Sequence, residues 1–145
     1  MLSRSKFSAV ALLVAGVFLC IGAVQAQEKS AKVLAKGEFH KADKAGSGTA
    51  AIYQLADGKR VLRLSNFATD NGPDLHVRLI AADDAKDTVS VAKAKFVELG
   101  KLKGNKGNQN YSLPADVDLS KYKVVSIWCN RFSVNFAAAP LSAAK

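Results

Sequence analysis

Sulfur is scarce in this chain of 145 residues, which holds two cysteines, Cys20 and Cys129, and one methionine, Met1. Cys20 lies in an N-terminal segment expected to be removed, so the mature chain keeps one thiol. A single cysteine makes no internal disulfide, which excludes a disulfide-stapled scaffold. A structural zinc site needs about four closely spaced Cys or His ligands. One Cys with the scattered His40 and His76 does not supply them. Blue-copper sites place a His and a Met soon after the Cys, and residues 130–145 contain neither. No C-x-x-C-H run occurs, so covalent c-type haem is excluded, while non-covalent haem on a Cys or His stays open. Only two histidines are available as bases and nothing resembles a nucleophile elbow, so no enzyme class is assigned. Glutamate occurs only at positions 28, 38 and 98, too thin a signal for a carboxylate pair.

Long apolar runs are confined to the N-terminus. Arg4 and Lys6 precede the uncharged stretch from Phe7 to Val24, and Val24-Gln25-Ala26 offers a small-residue cleavage site. This is the pattern of a secretory signal peptide over residues 1–26, with an uncleaved anchor as the alternative. Cleavage predicts an exported chain, periplasmic or secreted, with no membrane span and 119 residues, the size of one domain. The balance is basic: 21 Lys and Arg against 12 Asp and Glu in the whole chain, and 19 against 12 after cleavage. Most of these cations are scattered lysines, which suit a solvated surface and a weak attraction to acidic partners rather than nucleic acid.

Past a linker at 27–32, turn clusters divide the chain into short β-type runs. Gly46-Ser47-Gly48 precedes a strand from Thr49 to Leu55, and Asp57-Gly58 marks a hairpin into Val61 to Phe67. Thr69 to Asp74 is a second turn, launching Leu75 to Ile80. There Leu75, Val77 and Leu79 alternate inward, and His76 shares the other face with Asp74 and Arg78. Residues 81–95 read as a solvated loop, Phe96 to Leu99 as a strand, Gly104 to Asn108 as a turn, and 139–145 as a flexible tail. No long amphipathic helix is present. The pattern predicts an all-β fold, one antiparallel sandwich or barrel-like domain of about seven to eight short strands over 33–138.

The densest β signal runs from Tyr122 to Phe136 and holds the only Trp beside the surviving Cys. Read as one strand, it puts Trp128, Asn130, Phe132, Val134 and Phe136 on a core face packed against Leu75, Val77 or Leu79. Cys129 and Arg131 then share the other face, in a shallow pocket with Arg131, Asp74 or His76 close to the thiol. The thiol is open to three readings: buried in the core, paired with another molecule, or chemically used.

Several segments together carry a family resemblance. They include Gly37-Glu38-Phe39, Asn71-Gly72-Pro73-Asp74-Leu75-His76-Val77, Leu99-Gly100-Lys101-Leu102-Lys103-Gly104-Asn105 and Ile127-Trp128-Cys129-Asn130-Arg131-Phe132. The combination resembles the DM13 (DM-thirteen) domain, a small exported β-domain found elsewhere beside DOMON and cytochrome-b-type domains. The resemblance implies an electron-transfer or ligand-binding module centred on Cys129, acting as a naked thiol or as ligand to a prosthetic group such as haem. Trp128 and Arg131 flank that centre, and His76 and Asp74 are secondary candidates. A redox partner protein and a monomeric state are expected with it. The alternative is an extracellular interaction or adhesion module in which Cys129 is structural.

Overall fold

The computed structural model describes residues 31–145, so the expected signal peptide and most of the linker lie outside the described residues. Ten strands follow in order: β1 Lys32–Glu38, β2 His40–Lys41, β3 Gly46–Gln54, β4 Arg60–Thr69, β5 Leu75–Ile80, β6 Phe96–Lys101, β7 Lys106–Leu113, β8 Val124–Cys129, β9 Val134–Pro140 and β10 Ser142–Ala143. They form two five-stranded antiparallel sheets, β10-β1-β3-β4-β7 and β2-β9-β8-β5-β6. The fold is an all-β sandwich, with no helix among the described residues. Eight strands have six or more residues, and β2 and β10 are two-residue edges.

Local chemistry explains the best-defined hairpin. β3 and β4 pair from Gln54 opposite Arg60 onward, and Gly58 in their connection has φ 85°, a conformation that disfavours a Cβ. Asp57 Oδ1 accepts the Lys59 N–H at 2.9 Å and closes the turn. Alternation then turns Ile52, Leu62 and Leu64 inward, against Val77, Leu79, Val125 and Ile127 of the opposing sheet. Phe39 meets Phe67 edge to face at 5.0 Å within this core.

The stretch from Tyr122 to Phe136 departs from the single strand expected. It is a hairpin: β8 ends at Cys129, residues 130–133 turn, and β9 returns antiparallel from Val134. No Gly or Pro marks the turn. Ser133 takes the left-handed conformation at φ 52°, and the Asn130 N–H donates to the Asp74 carbonyl at 2.9 Å. A register shift opposite Ile127 and Trp128 places Phe136 as an extra residue in β9, so Phe136 and Ala137 both join the core.

Parity within β8 is the reverse of the expectation. Val125, Ile127 and Cys129 face the sandwich core, while Trp128 faces outward. All six β8 residues are buried, because the 81–95 connector covers the outer side with a second cluster of Ile80, Ala85, Val91, Val124, Trp128 and Ala138. A strand apolar on both faces does not tell which face is the core. Phe132, expected in the core, sits in the turn and is 58 % exposed. The tail expected to be flexible is ordered into the end of β9 and β10, where Ala143 pairs with Ala35 and Ser142 with Lys36.

Candidate functional site

Two features of β5 build a polar array on the outer face of the second sheet. Leu75, Val77 and Leu79 take the inward positions, so His76 and Arg78 point away from the core. His76 pairs across the sheet with Trp128 on β8 and Lys101 on β6, and Arg78 pairs with Glu98. The β6 register depends on a bulge in which Leu99 is the extra residue, next to Gly100, whose φ of 123° strains any residue carrying a Cβ. Without that extra residue Glu98 would not stand opposite Arg78.

The resulting contacts are dense. His76 Nε2 lies 2.9 Å from Asp74 Oδ1, and Nδ1 lies 2.5 Å from Glu98 Oε1. A protonated imidazole donates to both carboxylates, whereas a neutral ring donates to one. Arg78 donates from Nε to Glu98 Oε2 at 3.1 Å and from Nη2 to Asn130 Oδ1 at 2.7 Å. Its guanidinium is 3.9 Å from the Phe96 ring centroid and 5.0 Å from that of Trp128, a cation held between two aromatic faces. The His76 and Arg78 side chains are each 13 % exposed, so the array is tightly seated at the surface. Asp74 and Glu98 grip different ring nitrogens, and no group of three His, Cys, Asp or Glu among the described residues could hold a metal ion.

Cys129 lies on the reverse side of the same sheet. It pairs with Leu75, has zero exposure, and belongs to the apolar core cluster. The expected pocket beside Arg131 is therefore absent: Arg131 is exposed in the 130–133 turn and forms no ion pair among the described residues. Haem does not fit these residues. The Cys129 sulfur is sealed among core side chains, and both His76 nitrogens already face carboxylates, leaving no ligand atom directed at an axial position.

A second polar system ties the 81–95 connector down. His40 Nε2 lies 2.6 Å from Asp84 Oδ1, and Asp43 accepts from the Thr88 backbone N–H and hydroxyl. Beneath them the fully buried Asn135 donates to the Ala85 and Asp87 carbonyls and accepts from the Ser126 hydroxyl. Burial disfavours the His40 charge, but the Lys41 carbonyl and the Asp84 carboxylate outweigh it and raise the pKa above 6.5. For Asp84 burial is likewise outweighed, by His40 and the Ala85 N–H, and the carboxyl is lowered below 3.8.

The chain can now be placed among known proteins. The sequence of residues 38–141 matches the family described as Electron transfer DM13. The chain belongs to the DM13 family. That match spans β2 to β9, so one DM13 domain contains both the outward array and the inward thiol. No curated protein and no solved structure matches the chain.

Of the expected site residues, the DM13 fold brings Asp74, His76 and Trp128 to one face, turns Cys129 into the core behind them, and leaves Arg131 exposed in the turn beside Asp74. Glu98, Phe96 and Asn130 complete the array and were not anticipated. The alternation of β6 and the rarity of glutamate were the available signals, but pairing β6 with β5 needs the bulge at Leu99.

Proposed function

We propose that this DM13 domain is an exported, non-catalytic module of an electron-transfer system that works by binding a redox partner through its outer surface. Cys129 is then a structural core thiol. The observation that carries this reading is the zero exposure of Cys129, set against a gripped imidazole and a stacked guanidinium that face outward through the same sheet. A thiol acts as nucleophile or ligand only where it is reachable as thiolate. The test is labelling with Ellman's reagent in native buffer and in denaturant. Native labelling should be slower by roughly two orders of magnitude or more, since opening the core costs a few kcal/mol and each 1.4 kcal/mol is about tenfold.

A second reading keeps Cys129 as the redox group, a naked thiol oxidised by the partner after the tip of the β8–β9 hairpin opens. Its position as the last residue of β8, directly before the turn, favours that reading. Native labelling as fast as in the unfolded chain would select it over the first.

A further inference from the structure

The strip running along β5 from the 130–133 turn to Phe96 is organised like the centre and rim of a protein interface. Its accessible aromatic groups are Phe96, 46 % exposed, and Phe132, 58 % exposed; the Arg78 guanidinium lies over the Phe96 ring, and Trp128 on its other side is already buried. The two carboxylates of the strip, Asp74 and Glu98, are already engaged by His76 and Arg78. The cations around it are not engaged. Lys95 adjoins Phe96, Lys101 stands opposite His76, and Arg131 occupies the turn beside the exposed Phe132; all three are exposed and hold no ion pair among the described residues. Exposed aromatic side chains inside a polar, charged rim are what protein partners bury.

We propose that this strip docks the acidic surface of an electron-transfer partner protein in a transient, salt-sensitive encounter. The inference rests on the partner-binding reading above and adds the place and the chemistry of the partner. Charge, size and layout select this occupant. Charge is the first: uncompensated positive groups at the rim of a chain that keeps 19 Lys and Arg against 12 Asp and Glu after the expected cleavage attract an acidic surface and repel a second copy of this chain. Size is the second. With β8 covered by the connector, six residue steps along β5 and the width of two strands give a strip of roughly 20 by 10 Å, so an interface of about 400 Å² in total, which suits a weak, transient encounter and not a stable dimer. Layout is the third. A polyanion such as heparin or nucleic acid follows an uninterrupted run of cations, but here carboxylates break the run, and the Arg78 fork is committed to Glu98 and Asn130 and not open to a phosphate.

The experiment uses ¹⁵N-labelled protein titrated with an acidic plant-type ferredoxin at 20 mM salt. Shifts should concentrate on the Arg78 side chain and the Phe96, Lys101 and Phe132 amides, with affinity falling roughly tenfold or more by 200 mM salt. The K101E/R131E double variant should weaken binding at least about tenfold, whereas K32E/K59E, on the opposite sheet and its hairpin loop, should leave it within about twofold. Shifts spread over lysines of both sheets, equal weakening by the two double variants, or no binding at 20 mM salt would overturn the proposal. So would selective occupation of the strip by a heparin oligosaccharide or by phosphatidylserine vesicles with no ferredoxin binding. Ellman labelling of the same sample reads the role of Cys129 separately, so loss of the strip and loss of the partner-binding reading remain distinguishable.

Discussion

Cys129 and Trp128 are neighbours in the chain and lie on opposite sides of one sheet. That separation sets what each can do. The thiol packs among Leu75, Ile127 and Phe136 as a small apolar group, while the indole stacks on Arg78 under the 81–95 connector. Replacing Cys129 by Ser puts a hydroxyl into an apolar site, where an unpaired polar group costs about 1–3 kcal/mol. Cys129→Ala, which removes only the sulfur, should cost less than Cys129→Ser. Urea unfolding of the two variants gives the comparison, and a serine variant as stable as the parent would mean the thiol is in contact with polar groups or solvent. Side-chain parity also separates Phe132 from Phe136. Phe136→Ala should destabilise by about 3–5 kcal/mol, and Phe132→Ala, in the exposed turn, by less than about 0.5 kcal/mol. Equal losses for the two would place the turn in the core.

At the scale of elements, the 81–95 connector behaves as a strap across the second sheet. It shields Trp128 and Val124 on one side and is fixed by His40, Asp43 and Asn135 from the other. The His40–Asp84 pair makes that clasp depend on pH. His40 has a raised pKa, so its contribution is fully present below about 6.5 and is lost as pH rises through the raised value. Asp84 has a lowered pKa, so its contribution is present above about 3.8 and is lost as pH falls through the lowered value. The clasp is therefore strongest between these limits. Unfolding midpoints in urea should fall between pH 5.5 and pH 8 more for the parent than for Asp84→Asn. Parallel pH profiles for the two proteins would show that the pair holds nothing. Neither loop composition nor hydropathy announces this strap, because its partners His40 and Asp84 are 44 residues apart in the chain.

For the molecule as a whole, the sandwich is closed at one edge by only a few residues. β10 pairs with β1 at two positions, and the Leu141 and Ala144 N–H groups donate to the Lys123 and Leu34 carbonyls. An uncovered strand edge is a template for pairing with another chain. Deleting residues 141–145 should lower stability by roughly 1–2 kcal/mol and lead to association that light scattering detects. A truncated chain that stays monomeric and equally stable would show that the tail is dispensable. The tail reads as disordered from its alanines alone, and it is ordered only because the long strand β1 needs a partner there.

The all-β class, the Asp57-Gly58 hairpin and the inward set of β5 were legible in the sequence because each is written locally, in turn residues and in strict alternation. The DM13 family was legible in the same way, since its motifs are contiguous residues that need no folding to be seen. The orientation of β8 was not. Val124 to Cys129 is apolar at nearly every position, so its parity is fixed by which side meets the first sheet and which side the connector covers. The hairpin at 130–133 was hidden because Ser133 adopts a left-handed conformation without the usual glycine. The assembly of Asp74, His76, Glu98 and Arg78 was decided by sheet order and by the bulge at Leu99, both of which join segments far apart in the chain. Local pattern determines which residues form strands. Only packing between strands decides which side of the sheet a cysteine or a tryptophan ends on.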